Sequence, residues 1–273
     1  MSKLIGNSST MSKAPSRFPS GVPTTIVKAA AAHVWGNDGK RYIDTIMGLG
    51  PILLGYRHPA VDRAVKKQLQ KGMIFSLPSV LEGEVAERLV DWFAPLKMGQ
   101  VRFGKNGSDV TAAAVRLGRA ISEKDGVAHL SGAYHWKDDW FAAGQVLNAG
   151  GPKHLNTHLY PFLFNNIPSL EKVLNTGEVG TIIIEQPLAA PEGDFYQEVR
   201  RLADKHNAVF VMDEVVTGLR FGKLGVCGLY NIQPDLLCLG KAIGNGMPVS
   251  ALLGKSEYMD RLTKDVFFST TFG

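Results

Sequence analysis

Two residues in the second half of the chain have the types and the setting of reactive groups. Lys241 follows the apolar run of residues 236–239, and Asp213 follows the apolar run of residues 208–212. Desolvation at the end of a buried strand disfavours the ammonium form of a lysine, so its amine can attack an aldehyde. A carboxylate placed against a pyridine nitrogen keeps that nitrogen protonated, and the protonated ring withdraws electrons.

Both residues also have simpler interpretations. Lys241 could reach solvent from the end of its strand, and Asp213 could cap a helix or form a turn. Asp213 and Glu214 together could bind a metal ion, as in many nucleotide enzymes. The neighbouring motifs therefore have to decide between these alternatives.

Polar residues follow two further predicted strands. The segment Asn-Gly-Ser at residues 106–108 comes directly before a helix that we expect to begin at residue 109. A helix N-terminus offers unpaired N–H groups and a favourable dipole to an anion, although such a segment is also an ordinary helix cap. Tyr134 and His135 follow a predicted strand at 127–131, where an aromatic ring either stacks on a planar ligand or belongs to the core.

The spacing of apolar residues predicts the elements that position these groups. Residues 26–44 predict an N-terminal β-ribbon with a tight turn at residues 36–39. Short apolar runs then alternate with helical segments, which is typical of an α/β fold with a mostly parallel sheet flanked by helices. Ligands of such sheets lie beyond the carboxyl ends of the strands. The expected strands are 101–103, 127–131, 181–186, 208–214, 236–240 and 250–254, and the expected helices are 60–71, 81–93, 109–122, 169–174, 194–206 and 256–263.

Composition and charge exclude several classes of protein. The chain has 273 residues, 45% of them apolar, which is enough for one large core. Its net charge of +5 is scattered, so we expect no nucleic-acid partner. No stretch approaches the roughly 18 apolar residues of a membrane span, so we expect no membrane partner. Cys227 and Cys238 fit neither a disulfide framework nor a zinc site, which favours a reducing cytoplasm and predicts no bound metal.

The residues around Asp213 and Lys241 carry a resemblance to a known family. They read Asp-Glu-Val-Val-Thr-Gly-Leu-Arg at 213–220 and Gly-Lys-Ala-Ile-Gly-Asn-Gly-Met-Pro at 240–248. This pair of motifs resembles class III aminotransferases, most closely the branch of glutamate-1-semialdehyde 2,1-aminomutase. The resemblance implies the large domain of a fold type I transferase that depends on pyridoxal 5'-phosphate (PLP). It also implies that Lys241 is the Schiff-base lysine, that Asp213 holds the pyridine nitrogen and that Val215 packs on one face of the ring.

The resemblance assigns the remaining cofactor contacts as well. Asn106, Gly107 and Ser108 match the loop that holds the cofactor phosphate. Tyr134 and His135 match the Gly-x-Tyr-His element, whose tyrosine stacks on the ring face opposite Val215. Near the end of the chain, Thr271-Phe272-Gly273 resembles an element whose threonine reaches the phosphate held by the partner of a homodimer with shared active sites.

Two residues are candidates for binding substrate, and four features depart from the pattern. Arg17 lies where the aminomutase branch has an arginine that could clamp a carboxylate, and Glu185 resembles the family's Glu-Pro strand end, although Gln186 comes before the proline. Leu49 replaces the tryptophan of the aminomutase pattern, and Trp136 replaces the usual glycine after the histidine. The family's small C-terminal domain has no counterpart here, which suggests a C-terminally truncated chain.

These observations predict three segments and an amino-transferring enzyme. We expect a disordered lead over 1–16, a segment with the β-ribbon and a helix over 17–75, and an incomplete PLP-binding large domain over 76–273. The expected reaction moves an amino group from a small amino compound to a carbonyl acceptor. An intramolecular aminomutase and an inactive cofactor-binding or interaction module are the alternatives. A nicotinamide-dependent dehydrogenase ranks far below, since no Gly-x-Gly-x-x-Gly segment opens a helix after a first strand.

Overall fold

A computed structural model describes residues 3–135, 138–142 and 149–271. The chain divides into two compact units, Met1–Gly72 and Met73–Gly273. The predicted divisions at residues 16 and 75 stay predictions.

The first unit contains the expected ribbon. Strands β1 (Ile26–Ala30), β2 (His33–Gly36) and β3 (Arg41–Ile43) form an antiparallel sheet in that order. The turn between β2 and β3 uses Gly39 at a φ of +75°, a conformation that glycine adopts without strain. Helix α1 (Pro59–Leu69) follows, with proline at its first position. Before the ribbon, short 3₁₀ turns span Ile5–Asn7, Met11–Lys13 and Pro15–Arg17.

The second unit is built on a seven-stranded mixed sheet. Its helices are α2 (Val80–Phe93), α3 (Gly107–Ser122), α4 (Asp139–Ala142), α5 (Ile167–Leu174), α6 (Phe195–Lys205), α7 (Gly225–Leu229) and α8 (Ser256–Met259). Its strands are β4 (Gln100–Gly104), β5 (Gly126–Leu130), β6 (Leu159–Phe162), β7 (Val179–Glu185), β8 (Val209–Glu214), β9 (Leu236–Leu239) and β10 (Ser250–Gly254). They lie in the order β4-β10-β9-β8-β7-β5-β6, and β10 runs antiparallel to both of its neighbours.

Both faces of this sheet are covered. On one face, Ile183 and Val211 pack in a core with Val110, Ala114 and Leu117 of α3. On the other face, alternate residues of the same strands join a second core. It includes Ile182, Ile184, Phe210, Met212, Leu170 of α5 and Val199 of α6. The continuous apolar runs of β7 and β8 thus have the cause expected for strands buried on both sides.

The structure adds β6, α4 and α7, which were not predicted, and it corrects one predicted helix. Strand β6 was not predicted, because its sequence Leu-Tyr-Pro-Phe is short and contains Pro161. Since β6 is the edge strand of the sheet, a residue without an N–H group is tolerated there. The helix predicted over 256–263 is wrong as a single element, because α8 ends at Met259 and a 3₁₀ turn, Asp260–Thr263, follows.

An ion cluster of Asp235, Arg200 and Lys255 lies at the amino ends of the central strands. Asp235, just before β9, accepts hydrogen bonds from Phe210 N at 2.8 Å and Arg200 Nη1 at 2.7 Å. Lys255, just after β10, pairs with its other oxygen. Burial disfavours this charge, and the pairing compensates for it. The cluster therefore stabilises the edge of the sheet opposite the carboxyl ends of β8 and β9.

Close packing of α3 against β7 is testable with a pair of helix glycines. A Cβ at Gly118 would lie 2.2 Å from Thr181 Oγ1, whereas a Cβ at Gly83 of α2 meets nothing within 4 Å. We expect Gly118→Ala to lower the free energy of unfolding by about 1–3 kcal/mol through overpacking. The control Gly83→Ala should raise it by up to about 1 kcal/mol, because alanine favours the helix. Urea unfolding measures both, and equal stability of the two variants would contradict this packing.

Candidate active site

The topology brings the predicted site residues to one edge of the sheet. Because β10 is reversed, β4 runs in the same direction as β9, β8, β7 and β5. The segments after these strands therefore leave the sheet at the same edge. Residues 106–108, 134–135, 185, 213 and 241 all lie in or beside those segments.

The side chain of Val215 joins three of these segments. A Cβ added to Gly107 would lie 2.7 Å from Val215 Cγ1, and one added to Gly240 would lie 3.1 Å from the same atom. Val215 thus packs directly against the start of α3 and against the residue before Lys241. This contact shows that the predicted anion site, the segment after Asp213 and the lysine turn are neighbours.

The start of α3 is both a helix cap and an open donor site. Asn106 is the N-cap, and its Oδ1 accepts from Asp109 N at 3.3 Å. The Asp109 carboxylate accepts in return from the backbone of Asn106 at 3.0 Å. The N–H groups of Gly107 and Ser108 have no partner in the part of the chain that the structure describes. They and the helix dipole favour an anion, so the two interpretations of this segment are compatible.

The Asp213 carboxylate is buried and fixed from two sides. Its Oδ2 lies 2.8 Å from His135 Nδ1, and its Oδ1 accepts from Val215 N at 3.1 Å. A carboxylate oxygen accepts, so Nδ1 is the protonated nitrogen of the His135 ring. His135 is itself buried. The sequence analysis assigned it to the cofactor, and the structure places it on Asp213, a pairing across 78 residues that no local motif signals.

Lys241 begins the single 3₁₀ turn Lys241–Gly244 that follows β9. Its φ of +39° is one that non-glycine residues rarely adopt, and such strain is often found at functional sites. Burial lowers the pKa of the Lys241 amine, while the charges of Asp213 and Glu185 act in the opposite direction. The result is a lysine that loses its proton more easily than an exposed one, as predicted from its position after a buried strand.

The Glu214 carboxylate is engaged in hydrogen bonds within the protein. It is buried and accepts from Cys227 N at 2.8 Å, Val226 N at 3.0 Å and Thr217 Oγ1 at 3.0 Å. Burial raises its pKa, and these hydrogen bonds oppose that effect. Among residues 3–135, 138–142 and 149–271, no group of three acidic, histidine or cysteine side chains could hold a metal ion. Glu214 instead ties the turn after β8 to α7, which the sequence analysis missed because the partners lie 12 and 13 residues further on.

Glu185 and Tyr134 meet beside Asp213. Glu185 ends β7, in register with Asp213 of β8, and its Oε1 accepts from Tyr134 N at 2.8 Å. Burial raises the pKa of Glu185, and the hydrogen bond from Tyr134 N opposes that effect. The Tyr134 side chain is 66% exposed and belongs to the rim of the site, not to the core.

The remaining predicted residues belong to the first unit, to the end of the second unit or to the part of the chain that the structure does not describe. Arg17 is exposed in the first unit, and Leu49 lies in the same unit with a φ of +71°. Thr271 is exposed at the end of the second unit. The predictions that concern Trp136, Phe272 and Gly273 fall on residues that the structure does not describe.

The motifs of this edge match one family over almost the whole chain. The family model for aminotransferase class III matches residues 18–273. The chain belongs to the class III aminotransferase family. This confirms the resemblance drawn from residues 213–220 and 240–248.

Three relatives illustrate the range of this family. The glutamate-1-semialdehyde 2,1-aminomutase of Sulfurisphaera tokodaii is 33% identical over 266 residues, covering 92% of this chain and 63% of that protein. The Sphingopyxis sp. MTA144 FumI protein, solved in its PLP internal aldimine form, matches with a TM-score of 0.86 at 29% identity, covering 93% of this chain and 62% of the other. A β-phenylalanine aminotransferase from Variovorax paradoxus matches with a TM-score of 0.80 at 26% identity, covering 93% and 60%.

These matches confirm the predicted fold. Solved structures with the fold of the PLP-dependent transferases superpose on more than nine tenths of this chain, which corresponds to their large domain. The chain spans about three fifths of the length of these relatives. No helix among the described residues is long and apolar enough to cross a membrane.

The environment of Lys241 predicts an early titration that Lys255 should not share. Burial also lowers the pKa of Lys255, but its hydrogen bond and attraction to Asp235 outweigh this and raise it overall. As the pH rises, the Lys241 amine should become reactive below the range of an ordinary lysine, and the Lys255 amine above it. Competitive acetylation followed by mass spectrometry gives both midpoints. Asp213→Asn should move the Lys241 midpoint lower still, and the reverse order of the two lysines would contradict the described burial.

Proposed function

We propose that this chain binds PLP through Lys241 and is a PLP-dependent transaminase. It would move an amino group from a small amino compound to a carbonyl acceptor. The observation that supports the proposal is the contact of Val215 with both Gly107 and Gly240, because the start of α3, the segment after Asp213 and the turn of Lys241 are then neighbours. Membership of the class III family and the PLP-containing relatives support the cofactor and the class of enzyme.

The donor set fits this cofactor. The open N–H groups at the start of α3 suit its phosphate, together with the side chains of Asn106 and Ser108. The ring nitrogen suits Asp213, whose carboxylate is already held by His135. Val215 would lie on one face of the ring and the exposed ring of Tyr134 on the other. When bound, PLP supplies a protonated ring that withdraws electrons from the substrate.

The residues of the chain would divide the remaining tasks. Lys241 Nζ would hold the cofactor covalently, and its free amine would accept and return the proton that moves in the reaction. Burial lowers the pKa of this amine, which favours its unprotonated form. Asp213 keeps the ring nitrogen protonated, and His135 keeps Asp213 in place. Glu214 holds the turn that carries Val215.

We assign three further residues on the family pattern alone. Arg17 would clamp a substrate carboxylate, and Glu185 is a candidate for substrate contact. Thr271 would reach the phosphate bound by the other copy of a homodimer. A cytoplasmic location is in keeping with two buried, unpaired thiols, Cys227 and Cys238.

An intramolecular aminomutase is the second candidate. The 33% identity to the Sulfurisphaera tokodaii aminomutase favours it, whereas leucine at residue 49 departs from the aminomutase pattern. Full turnover of one amino aldehyde without a second carbonyl compound would identify the mutase. A third possibility, an inactive module that only binds cofactor or another subunit, would show cofactor binding without any turnover.

An exposed apolar segment supports the proposed homodimer. Seven side chains in and before α2 are 43–79% exposed. Concentrations of exposed apolar side chains mark interaction surfaces, and a second copy of the chain is the partner that we propose for this one. The seven residues are Met73, Ile74, Phe75, Leu77, Val80, Leu81 and Val85.

The first prediction from this proposal concerns the covalent bond to Lys241. Borohydride reduction of the PLP-treated protein should leave a pyridoxyl group on Lys241, found by peptide mass spectrometry. Lys241→Ala should abolish both the adduct and turnover, because the variant lacks the amine that is proposed to bind the aldehyde of the cofactor. Lys172→Ala, which removes an exposed lysine of α5, should change neither. An unchanged yield of adduct in Lys241→Ala would refute the assignment.

The second prediction concerns the apolar segment. The double variant Leu77→Glu, Val80→Glu should sediment at the mass of one chain, and the wild type at twice that mass, because two buried charges would oppose the contact. Leu229→Glu changes a leucine of α7 that is 53% exposed outside the segment and serves as the control. A wild type that sediments as a single chain would contradict the dimer.

A further inference from the structure

We propose that Glu185 is a positioning residue. It keeps His135 on Asp213 by anchoring the segment of residues 131–135, which ends at His135. The inference rests on the proposed function and replaces a substrate contact with a structural task within the same site. Glu185 would act through the N–H group of Tyr134, the residue before His135.

The segment 131–135 is hydrogen-bonded to four strands. It leaves β5, whose neighbours in the sheet are β6 and β7. Its beginning is held by hydrogen bonds from Ser131 N to Phe162 O at 2.8 Å and from Ala133 N to Leu130 O at 3.1 Å. Its end is held by Tyr134 N to Glu185 Oε1 at 2.8 Å and by His135 Nδ1 to Asp213 Oδ2 at 2.8 Å. The last two contacts are adjacent in the chain, so fixing one restricts the other.

The middle of the segment needs such an anchor. Gly132 has a φ of +80°, and apart from its chain neighbours no described atom lies within 4 Å of the position that a Cβ would take. A glycine in that conformation allows the chain to bend, and it loses more conformational freedom on folding than any other residue. An acceptor for the N–H group of Tyr134 is therefore an effective restraint.

Glu185 is well placed to act as an anchor. It is the last residue of β7 and the direct neighbour of Asp213 on β8. In paired positions of adjacent parallel strands the side chains point to the same face, so the two carboxylates project on the same side of the sheet. The chain after Glu185 is fixed too, since Gln186 Nε2 donates to Ala189 O at 2.6 Å and Gln186 Oε1 accepts from Tyr196 OH. The glutamine that interrupts the family's Glu-Pro pattern thus stabilises the strand end that carries Glu185.

The substrate assignment of Glu185 is harder to reconcile with these contacts. Burial disfavours its charged form, and the hydrogen bond from Tyr134 N compensates for part of that cost. A substrate that withdrew this oxygen would leave the Tyr134 N–H group without its acceptor. Such a loss costs free energy wherever the group is shielded from water.

Two substitutions separate the acceptor from the charge. Glu185→Gln keeps an oxygen that can accept from Tyr134 N, and Glu185→Ala removes it. Glu192→Ala, an exposed acid in the loop after β7, is the control. The first readout is cofactor-free: the downfield ¹⁵N-coupled signal of His135 Nδ1–H in protein labelled at its histidines, assigned by its loss in His135→Asn. The second is the Kd for PLP.

We expect Glu185→Ala to broaden or abolish the His135 signal and to weaken PLP binding about ten-fold, the effect of one hydrogen bond to a charged group. Glu185→Gln and Glu192→Ala should keep the signal and bind PLP within about two-fold of wild type. Two results would overturn the inference: an unchanged His135 signal in Glu185→Ala, or a Glu185→Gln protein that behaves like Glu185→Ala. A rise in the KM of the amino substrate alone would restore the substrate role.

Failure of the proposed function is a different result. If the wild type does not bind PLP, the proposed function is wrong, but the His135 signal still reports whether Glu185 anchors the segment. If PLP binds and the signal persists without Glu185, only the inference is wrong.

Discussion

The site depends on keeping a carboxylate inside the protein with its hydrogen bonds satisfied. Asp213 is only 5% exposed, and burying such a group is costly unless partners replace water. His135 and the backbone of Val215 provide those partners. Both belong to segments that the site itself requires. The bonds that stabilise the end of β8 are therefore the same ones that hold the Asp213 carboxylate in its buried position.

A second requirement is small residues around Val215. A Cβ at Gly107 would clash with a methyl group of Val215, and a Cβ at Gly240 would be crowded by the same methyl group. The contact brings the start of α3 and the lysine turn within one side chain of each other. Motifs that are separated along the chain are thus brought together by the packing of Val215.

Much of this could be predicted from the sequence, and the limits have physical causes. The apolar runs around Ile183 and Val211 predicted buried parallel strands because period and length are local properties. Lys241 and Asp213 were predicted because each directly follows such a run. The pairing of His135 with Asp213 and the capping of α7 by Glu214 were missed, since both join residues distant in sequence. Strand β6 was missed because it is short and contains Pro161, and a proline argues against any strand that does not lie at the edge of a sheet.

The reversed direction of β10 has a consequence for the reactive lysine. The chain leaves β9, turns at Lys241–Gly244 and returns in the opposite direction through β10. Strand β10 is hydrogen-bonded to β9 on one side and to β4 on the other. The lysine thus lies in the connection between two interior strands. At the opposite edge of the sheet, the ends of both strands are joined by the ion pair of Asp235 and Lys255. The strand pairing on both sides restrains the backbone of this turn. Movement of the amine is therefore expected to come from rotation about the bonds of its own side chain.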